Sequence, residues 1–239
     1  MMRLRPFWSY YGAKYNIAHR YPYPQHNIII EPFAGSAQYS LLYYRKDVHL
    51  YDLDENICMI WDYLIHAKES QLRRLTIDFE HIDDLKGYTQ EEKVLMGFWC
   101  AKGASKPQSK MTEYAKHKNT ANYKKRCIDQ VRYIRHWKIE QASYTDIENI
   151  EATWFIDPPY QRGGDRYRKS SKMIDYAHLA QWSEERKGSF IVCEGDDAEW
   201  LPFKELCMQR SCCRKVLDNK ELIFTNIKKS QLSLFGGLK

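Results

Sequence analysis

Four consecutive residues, Asp157-Pro158-Pro159-Tyr160, carry the sharpest chemical signal in the chain. They follow the run Thr153-Trp154-Phe155-Ile156, whose β-branched and aromatic residues read as a buried strand. A carboxylate at such a strand end accepts hydrogen bonds, and so does a backbone carbonyl that two prolines hold in place, here that of Pro158. The pair suits one kind of donor, an exocyclic amine whose lone pair is delocalised into an aromatic ring. Two acceptors on that amine favour the pyramidal geometry that frees the lone pair for attack on an electrophile. Tyr160 adds a ring face on which an extruded base could stack. The same four residues would also serve as a plain strand-ending turn with a capping aspartate, so the assignment needs partners elsewhere in the sequence.

A partner lies near the N-terminus. The apolar run Asn27-Ile28-Ile29-Ile30 leads into Glu31-Pro32-Phe33-Ala34-Gly35-Ser36-Ala37, where the glycine lets backbone approach a ligand closely. Val48-His49-Leu50-Tyr51 then ends in Asp52. An acid at the end of the second strand accepts hydrogen bonds from ribose hydroxyls, and a nucleoside-bearing cofactor is its natural ligand.

The elements that must position these groups are short apolar strands separated by helical stretches, with Ser189-Phe190-Ile191-Val192-Cys193 as a fourth strand. That alternation predicts a parallel α/β sheet with its ligands at the carboxyl ends of the strands. Between Asp52 and Thr153 the character changes. Helices are predicted over 56–74, with Ile57, Ile60, Trp61, Leu64 and Ile65 at helical spacing, and over 91–100 and 123–137, with a loop at 105–112. From Ala101 to Lys138 there are eleven Lys or Arg against two Asp or Glu, while the rest of the chain is slightly acidic. A basic segment on such a body reads as a polyanion-binding surface, or as a solvated charged helix. We therefore divide the 239 residues into a core of 1–56 and 139–228, an insertion of 57–138 and a flexible tail of 229–239.

Composition excludes several classes. Apolar residues at 44% are ordinary for a globular chain, and no stretch of about 18 apolar residues offers a membrane span. The N-terminus lacks the apolar core of a secretory signal. The seven cysteines are odd in number and scattered; Cys207, Cys212 and Cys213 have no His or Cys at zinc-ligand spacing, so reduced thiols and no metal are expected. No Pro-Cys dipeptide exists, which argues against a cytosine-C5 methyltransferase nucleophile.

In register, these motifs resemble the Dam-like DNA adenine methyltransferases through most of the core. Ser9-Tyr10-Tyr11-Gly12-Ala13-Lys14 resembles the family's N-terminal cofactor motif, and Glu31-Pro32-Phe33-Ala34-Gly35-Ser36 its first core motif. The stretch from Tyr51 to Ile57 resembles the one with the ribose-binding acid, Ser143-Tyr144-Thr145-Asp146 the one whose acid contacts the cofactor adenine, and residues 220–226 the final strand. Asp157-Pro158-Pro159-Tyr160 is similar to the catalytic motif. The resemblance implies a Rossmann-like class I methyltransferase core with a small, mostly helical insertion for target recognition. It implies S-adenosylmethionine held by Tyr11, Gly12, Lys14, Glu31, Pro32, Phe33, Ala34, Gly35, Ser36, Asp52, Leu53, Tyr144, Asp146 and Asp157. It implies methylation of adenine N6 in double-stranded DNA, with base flipping, in a bacterial or phage-infected cytoplasm and in the setting of restriction-modification or phage DNA modification. Ala37 stands where the family usually has a second glycine, and Asp54 where Asn is common.

The basic residues expected to meet DNA are Lys102, Lys106, Lys110, Lys124, Lys125, Arg126, Arg132 and Arg135. Near the C-terminus, Gln231-Leu232-Ser233-Leu234-Phe235 is similar to the pentapeptide with which bacterial proteins dock on the β sliding clamp; its apolar residues would alternatively pack on the protein's own core. Cytosine N4 is an alternative target because the same motif serves both amines. A non-catalytic DNA-binding relic, or RNA or protein as substrate, is a further alternative.

Overall fold

The computed structural model describes residues 3–118, 120–209 and 219–228. The tail peptide and the Cys212-Cys213 doublet lie outside the described residues. Seven strands, β1 (Ile28–Glu31), β2 (Asp47–Asp52), β3 (Lys138–Gln141), β4 (Ala152–Ile156), β5 (Gly188–Glu194), β6 (Lys204–Gln209) and β7 (Asn219–Thr225), form one sheet in the order β3-β2-β1-β4-β5-β7-β6. β1 to β5 are parallel neighbours, whereas β7 runs antiparallel to both β5 and β6.

The helices are α1 (Gln38–Leu42), α2 (Glu55–His66), α3 (Glu69–Arg74), α4 (Gln90–Trp99), α5 (Glu113–Lys118), α6 (Thr120–Gln130) and α7 (Tyr176–Glu184). They and the loops cover both faces of the sheet. Ile29, Phe155 and Ile191 face one core with Trp61 and Leu64 of α2; Ile30, Trp154, Ile156 and Val192 face the other with Leu179 and Trp182 of α7. Burial on both faces is why the central strands are unbroken apolar runs in the sequence.

Two expectations are corrected. The helix expected over 56–74 is two helices, because Ala67 and Lys68 are extended (ψ 135° and 152°). The freed end of α2 is closed by Arg135, whose guanidinium donates to the carbonyls of Leu64, Ile65 and Ala67. The basic helix expected over 123–137 is α6, which stops at Gln130, followed by a 3-10 turn (Val131–Tyr133) and a buried Trp137 that leads into β3. Helix α2 packs against β2 and β3, and its Ile57, Ile60 and Trp61 share a core with Val48 and Leu50. The sheet's helical layer on this side therefore includes α2.

Among the described residues no helix is long and apolar enough to cross a membrane, and no group of three or more His, Cys, Asp or Glu could hold a metal ion. Cys58, Cys100, Cys127, Cys193 and Cys207 are free thiols.

Candidate active site

Chain order reverses between β1 and β4: successive strands step outward from β1 to β3 on one side and from β4 to β5 on the other. Beyond the carboxyl ends of such neighbours the loops diverge and leave a crevice. A cavity of about 970 Å³, counted to its open mouth, occupies that crevice. Its lining comes mainly from six places. The N-terminal loop gives Tyr10, Tyr11, Gly12 and Lys14; the turn after β1 gives Phe33, Ala34, Gly35 and Ser36, with Glu31 at the strand's last residue; the end of β2 gives Asp52, Leu53 and Asp54; and Asp157 and Pro159 follow β4. Ser143 and Tyr144 close one end, and the segment from Tyr167 to Ile174 roofs it.

The turn after β1 is tied to β2 through one carboxylate. Asp52 Oδ2 accepts from Gly35 N (3.0 Å) and Oδ1 from Asp54 N (2.8 Å). Gly35 sits at φ +44°, and a Cβ there would meet Tyr10 at 3.0 Å. Gly12 is more constrained: at φ +70°, an added Cβ would lie 2.3 Å from Tyr167 Oη. Glu31 is buried and accepts from Ser40 N at 2.9 Å. Burial raises the Glu31 pKa to about 8, against the opposing effect of the Ser40 hydrogen bond. Asp52 is pushed up to about 6 by burial, opposed by the bonds from Asp54 and Gly35.

Asp157 has a buried cation beside it. Lys14 Nζ is 3.2 Å from Asp157 Oδ1 and 3.9 Å from Glu221 Oε1, and it lies 4.4 Å from the centre of the Tyr160 ring. Burial works against the charge on Lys14, yet the two carboxylates hold its pKa above the ordinary lysine value. Burial raises Asp157 to about 6, and Lys14 limits that rise. Glu221, on β7, also accepts from the hydroxyls of Tyr21 (2.5 Å) and Tyr160 (2.6 Å).

Twelve of the fourteen residues expected to hold a cofactor line the cavity; Pro32 and Asp146 do not. Asp146 is exposed and accepts from the hydroxyl of Thr145, so the end of the cavity is formed by Tyr144 and Ser143 instead. Pro158 is buried behind the lining. Tyr160 is expected as a stacking platform, but Lys14 covers its ring and Gly195 packs so closely that a Cβ there would lie 2.9 Å from it. Its ring is wedged in place, and the half-buried Tyr11 and Tyr167, which meet at 5.5 Å, supply the aromatic edge of the cavity. Tyr167, Arg168 and Lys169 carried no sequence signal beyond their proximity to Asp157. Glu221 carried one, an acid in the middle of an apolar strand.

The eight basic residues expected on one DNA surface are not together. Lys102 and Lys106 are exposed on a loop that pairs with the N-terminal motif, through Tyr11 N to Ala104 O (3.2 Å) and Gly103 N to Ser9 Oγ (2.7 Å). Lys110 pairs with Glu80. Lys125, Arg126, Arg132 and Arg135 line a separate groove with Arg5 and Arg73. That groove is at the other end of the sheet: His136 bonds Lys46 O and Trp137 bonds Tyr44 O, both just before β2, whereas Asp52 ends β2 about 17 Å away at five residues' rise.

No protein-family model matches this sequence, and no curated protein matches it. Among solved structures, the chain is similar to the rRNA methyltransferase aviRa from Streptomyces viridochromogenes, at 12% identity and a TM-score of 0.39 over 88% of this chain and 80% of that one. The class rests on the chain's own topology: five parallel strands with a switch point between β1 and β4, and a reversed β7 between β5 and β6, make this a Rossmann-like α/β fold of the class I methyltransferase type.

Proposed function

We propose that the protein is an S-adenosylmethionine-dependent methyltransferase acting on adenine N6 in double-stranded DNA. The observation that carries this reading is the position of Asp157, immediately after β4, in the switch-point cavity and paired with a buried lysine.

The residues present fit the methyl donor. Asp52 spends one lone pair of each oxygen on backbone N–H groups and keeps others for ribose hydroxyls. Phe33 and Tyr144, with ring centres 5.6 Å apart and tilted by 34°, provide apolar surface for a purine. Glu31, raised to about 8 by burial and so mostly protonated at neutral pH, would ionise on meeting an ammonium group. When bound, S-adenosylmethionine supplies an electrophilic methyl group.

The chain's own residues prepare the amine. Asp157 must be ionised to accept from it. With a pKa of about 6, held from rising further by Lys14, it is mostly ionised at neutral pH. The carbonyl of Pro158, fixed between two rings, is the second acceptor. A carboxylate poised near neutrality is also able to take the proton that the amine sheds. Residues 231–235 add a proposed contact with a β sliding clamp, which would keep the enzyme near newly made DNA.

The test uses purified protein, S-adenosylmethionine labelled in its methyl group and unmethylated bacterial genomic DNA digested afterwards to nucleosides. Label is expected in N6-methyladenine, and Asp157→Asn should lower the rate by about 100-fold or more while leaving cofactor affinity nearly unchanged. Label in N4-methylcytosine or in added RNA would replace the target; cofactor binding without any transfer would leave a DNA-binding relic.

A further inference from the structure

Two stretches of chain meet beside the cavity: the first bonds the N-terminal loop that lines it, and the second lines it from Tyr167 onward. One is the loop around Lys102 to Lys106; the other runs on from Tyr160 to Met173. Ser105 Oγ donates to the carbonyl of Arg166 at 2.8 Å and joins them. Each is also anchored separately. The first pairs with the N-terminal loop, as described above. The second is held by Tyr167 Oη to Tyr11 O (3.1 Å) and by Arg168 to Asp54 (2.9 Å) and Glu55 (2.5 Å), and its two ends are joined by Tyr176 Oη to Pro159 O (2.5 Å) just outside it. The rim is therefore a fixed surface built around the cavity.

Its charge is one-sided. Residues 161–173 hold five Arg or Lys and a single acid, Asp165. Arg168 is neutralised by Asp54 and Glu55, and Arg162 by Asp197. Lys102, Lys106, Arg166, Lys169 and Lys172 form no ion pair among the described residues, and all but Lys169 are exposed. Beside them Met173, 63% exposed, presents an apolar side chain to the cavity entrance.

The groove at the far end of the sheet differs in kind. There Lys125 is paired with Asp129 and Arg73 with Glu69, while Arg126 donates to Pro6 O and Arg135 to the end of α2. Its cations are largely spent on the protein itself.

We propose that the rim, through Lys102, Lys106, Arg166, Lys169 and Lys172, is the surface on which the phosphates of duplex DNA lie while one base enters the cavity, and that the groove beside α6 is not on the substrate path. The inference rests on the methyltransferase reading for the direction of the base. Its charge argument does not depend on that reading. Cations that form no ion pair among the described residues, with Lys102 over the Tyr114 ring and Arg166 over the Tyr11 ring, attract a polyanion to the opening, whereas cations already paired release fewer counterions on binding.

The test measures binding of a fluorescent 30-base-pair duplex by anisotropy between about 50 and 300 mM salt, with the full chain and two triple variants. One is Lys106→Ser, Lys169→Ser, Lys172→Ser at the rim; the other is Lys124→Ser, Lys125→Ser, Arg132→Ser beside α6. Thermal melts confirm that each is folded. The rim variant should flatten the slope of log K against log salt by roughly 2.7, three phosphates at about 0.9 each, and bind at least tenfold more weakly at low salt. The α6 variant should keep the wild-type slope. The reverse pattern, equal loss in both, or a wild-type protein that prefers a single strand or an RNA duplex, overturns the proposal. Binding is read without turnover, so an altered rim slope in a protein that transfers no methyl group leaves the rim standing and removes the catalytic reading.

Discussion

Replacing Lys14 by methionine tests the electrostatics of the proposed reaction directly. The ammonium lies 3.2 Å from Asp157 Oδ1, with both side chains largely buried. At an effective dielectric constant of about 20, a unit charge at that distance contributes about 5 kcal/mol, or nearly four pKa units at the upper limit. Relaxation and entry of water reduce that, and a rise of at least about two units is expected, from about 6 to about 8 or more. Of the other groups around Asp157, Glu221 pushes its pKa up, while the hydrogen bond from Tyr160 pulls it down. Glu221 on β7 and Glu31 at the end of β1 are acids, and Tyr160, Tyr167, Tyr10 and Cys193 are neutral. At pH 7 the ionised fraction of Asp157 would fall from about nine-tenths to about one-tenth. kcat/KM should then drop about tenfold at pH 7 and recover at alkaline pH, so the acid limb of the profile moves upward. Lys14→Arg, which keeps a charge, should move it less. Methyl transfer to genomic DNA between pH 5.5 and 9.5 gives the profile, and carbon-13 titration of the aspartate carboxyls gives the pKa without turnover. A folded methionine variant with an unmoved limb and an unmoved carboxyl midpoint would refute the coupling.

Three further outcomes are expected. Asp52→Asn removes a charged acceptor worth about 1.5–3 kcal/mol, so calorimetry should show S-adenosylmethionine binding some 10- to 100-fold more weakly; equal affinity in a folded variant would misplace the ribose. Glu31, Asp52 and Asp157 all have folded pKa values above their unfolded ones, so the native state holds more protons and stability must fall as pH rises through the window from about 4 to about 8. Without ligand, Tm should decline from pH 5 to pH 8, and Glu31→Gln should flatten the upper part; a rising Tm there contradicts the assignment. For the tail, a purified β sliding clamp should bind the wild-type chain and not the Leu234→Ala, Phe235→Ala double variant, while both methylate short free duplexes equally; retained binding by the double variant excludes docking through these residues.

The parts of the site legible in the sequence were those attached to buried parallel strands. Glu31 and Asp157 stand out because each ends an apolar run covered on both faces, whereas Asp52 ends a strand in which buried and half-buried residues alternate. The edge strands were not legible. β3 reads Lys-Ile-Glu-Gln with one half-buried apolar residue, and β6 mixes charged and apolar residues. Backbone pairing to a neighbour makes these strands, and side-chain pattern does not record it. The break between α2 and α3 was hidden for a similar reason: Ala67 and Lys68 are good helix formers, and Arg135, 68 residues later, supplies the cap that stabilises the interruption. Counting charge found a basic segment but not its geometry. Arg126 and Arg135 look like DNA ligands in a sequence and act as clamps on carbonyls in the fold.

The network around Lys14 also has a history in time. Ile29 pairs in register with Thr153, and the Tyr21 hydroxyl meets Glu221 across 200 residues of chain. Contacts so distant in sequence pay a large loop-closure cost before they return anything, so they form late in folding. β1 and β2, which pair closely in sequence, can associate as soon as both exist. The floor of the cavity waits for β4, and the acid that steadies Lys14 and Tyr160 waits for β7, the last strand to leave the ribosome among those described. The contacts that complete the proposed active site are thus among the most distant in sequence, and without β7 Lys14 would have Asp157 but not Glu221 as its partner.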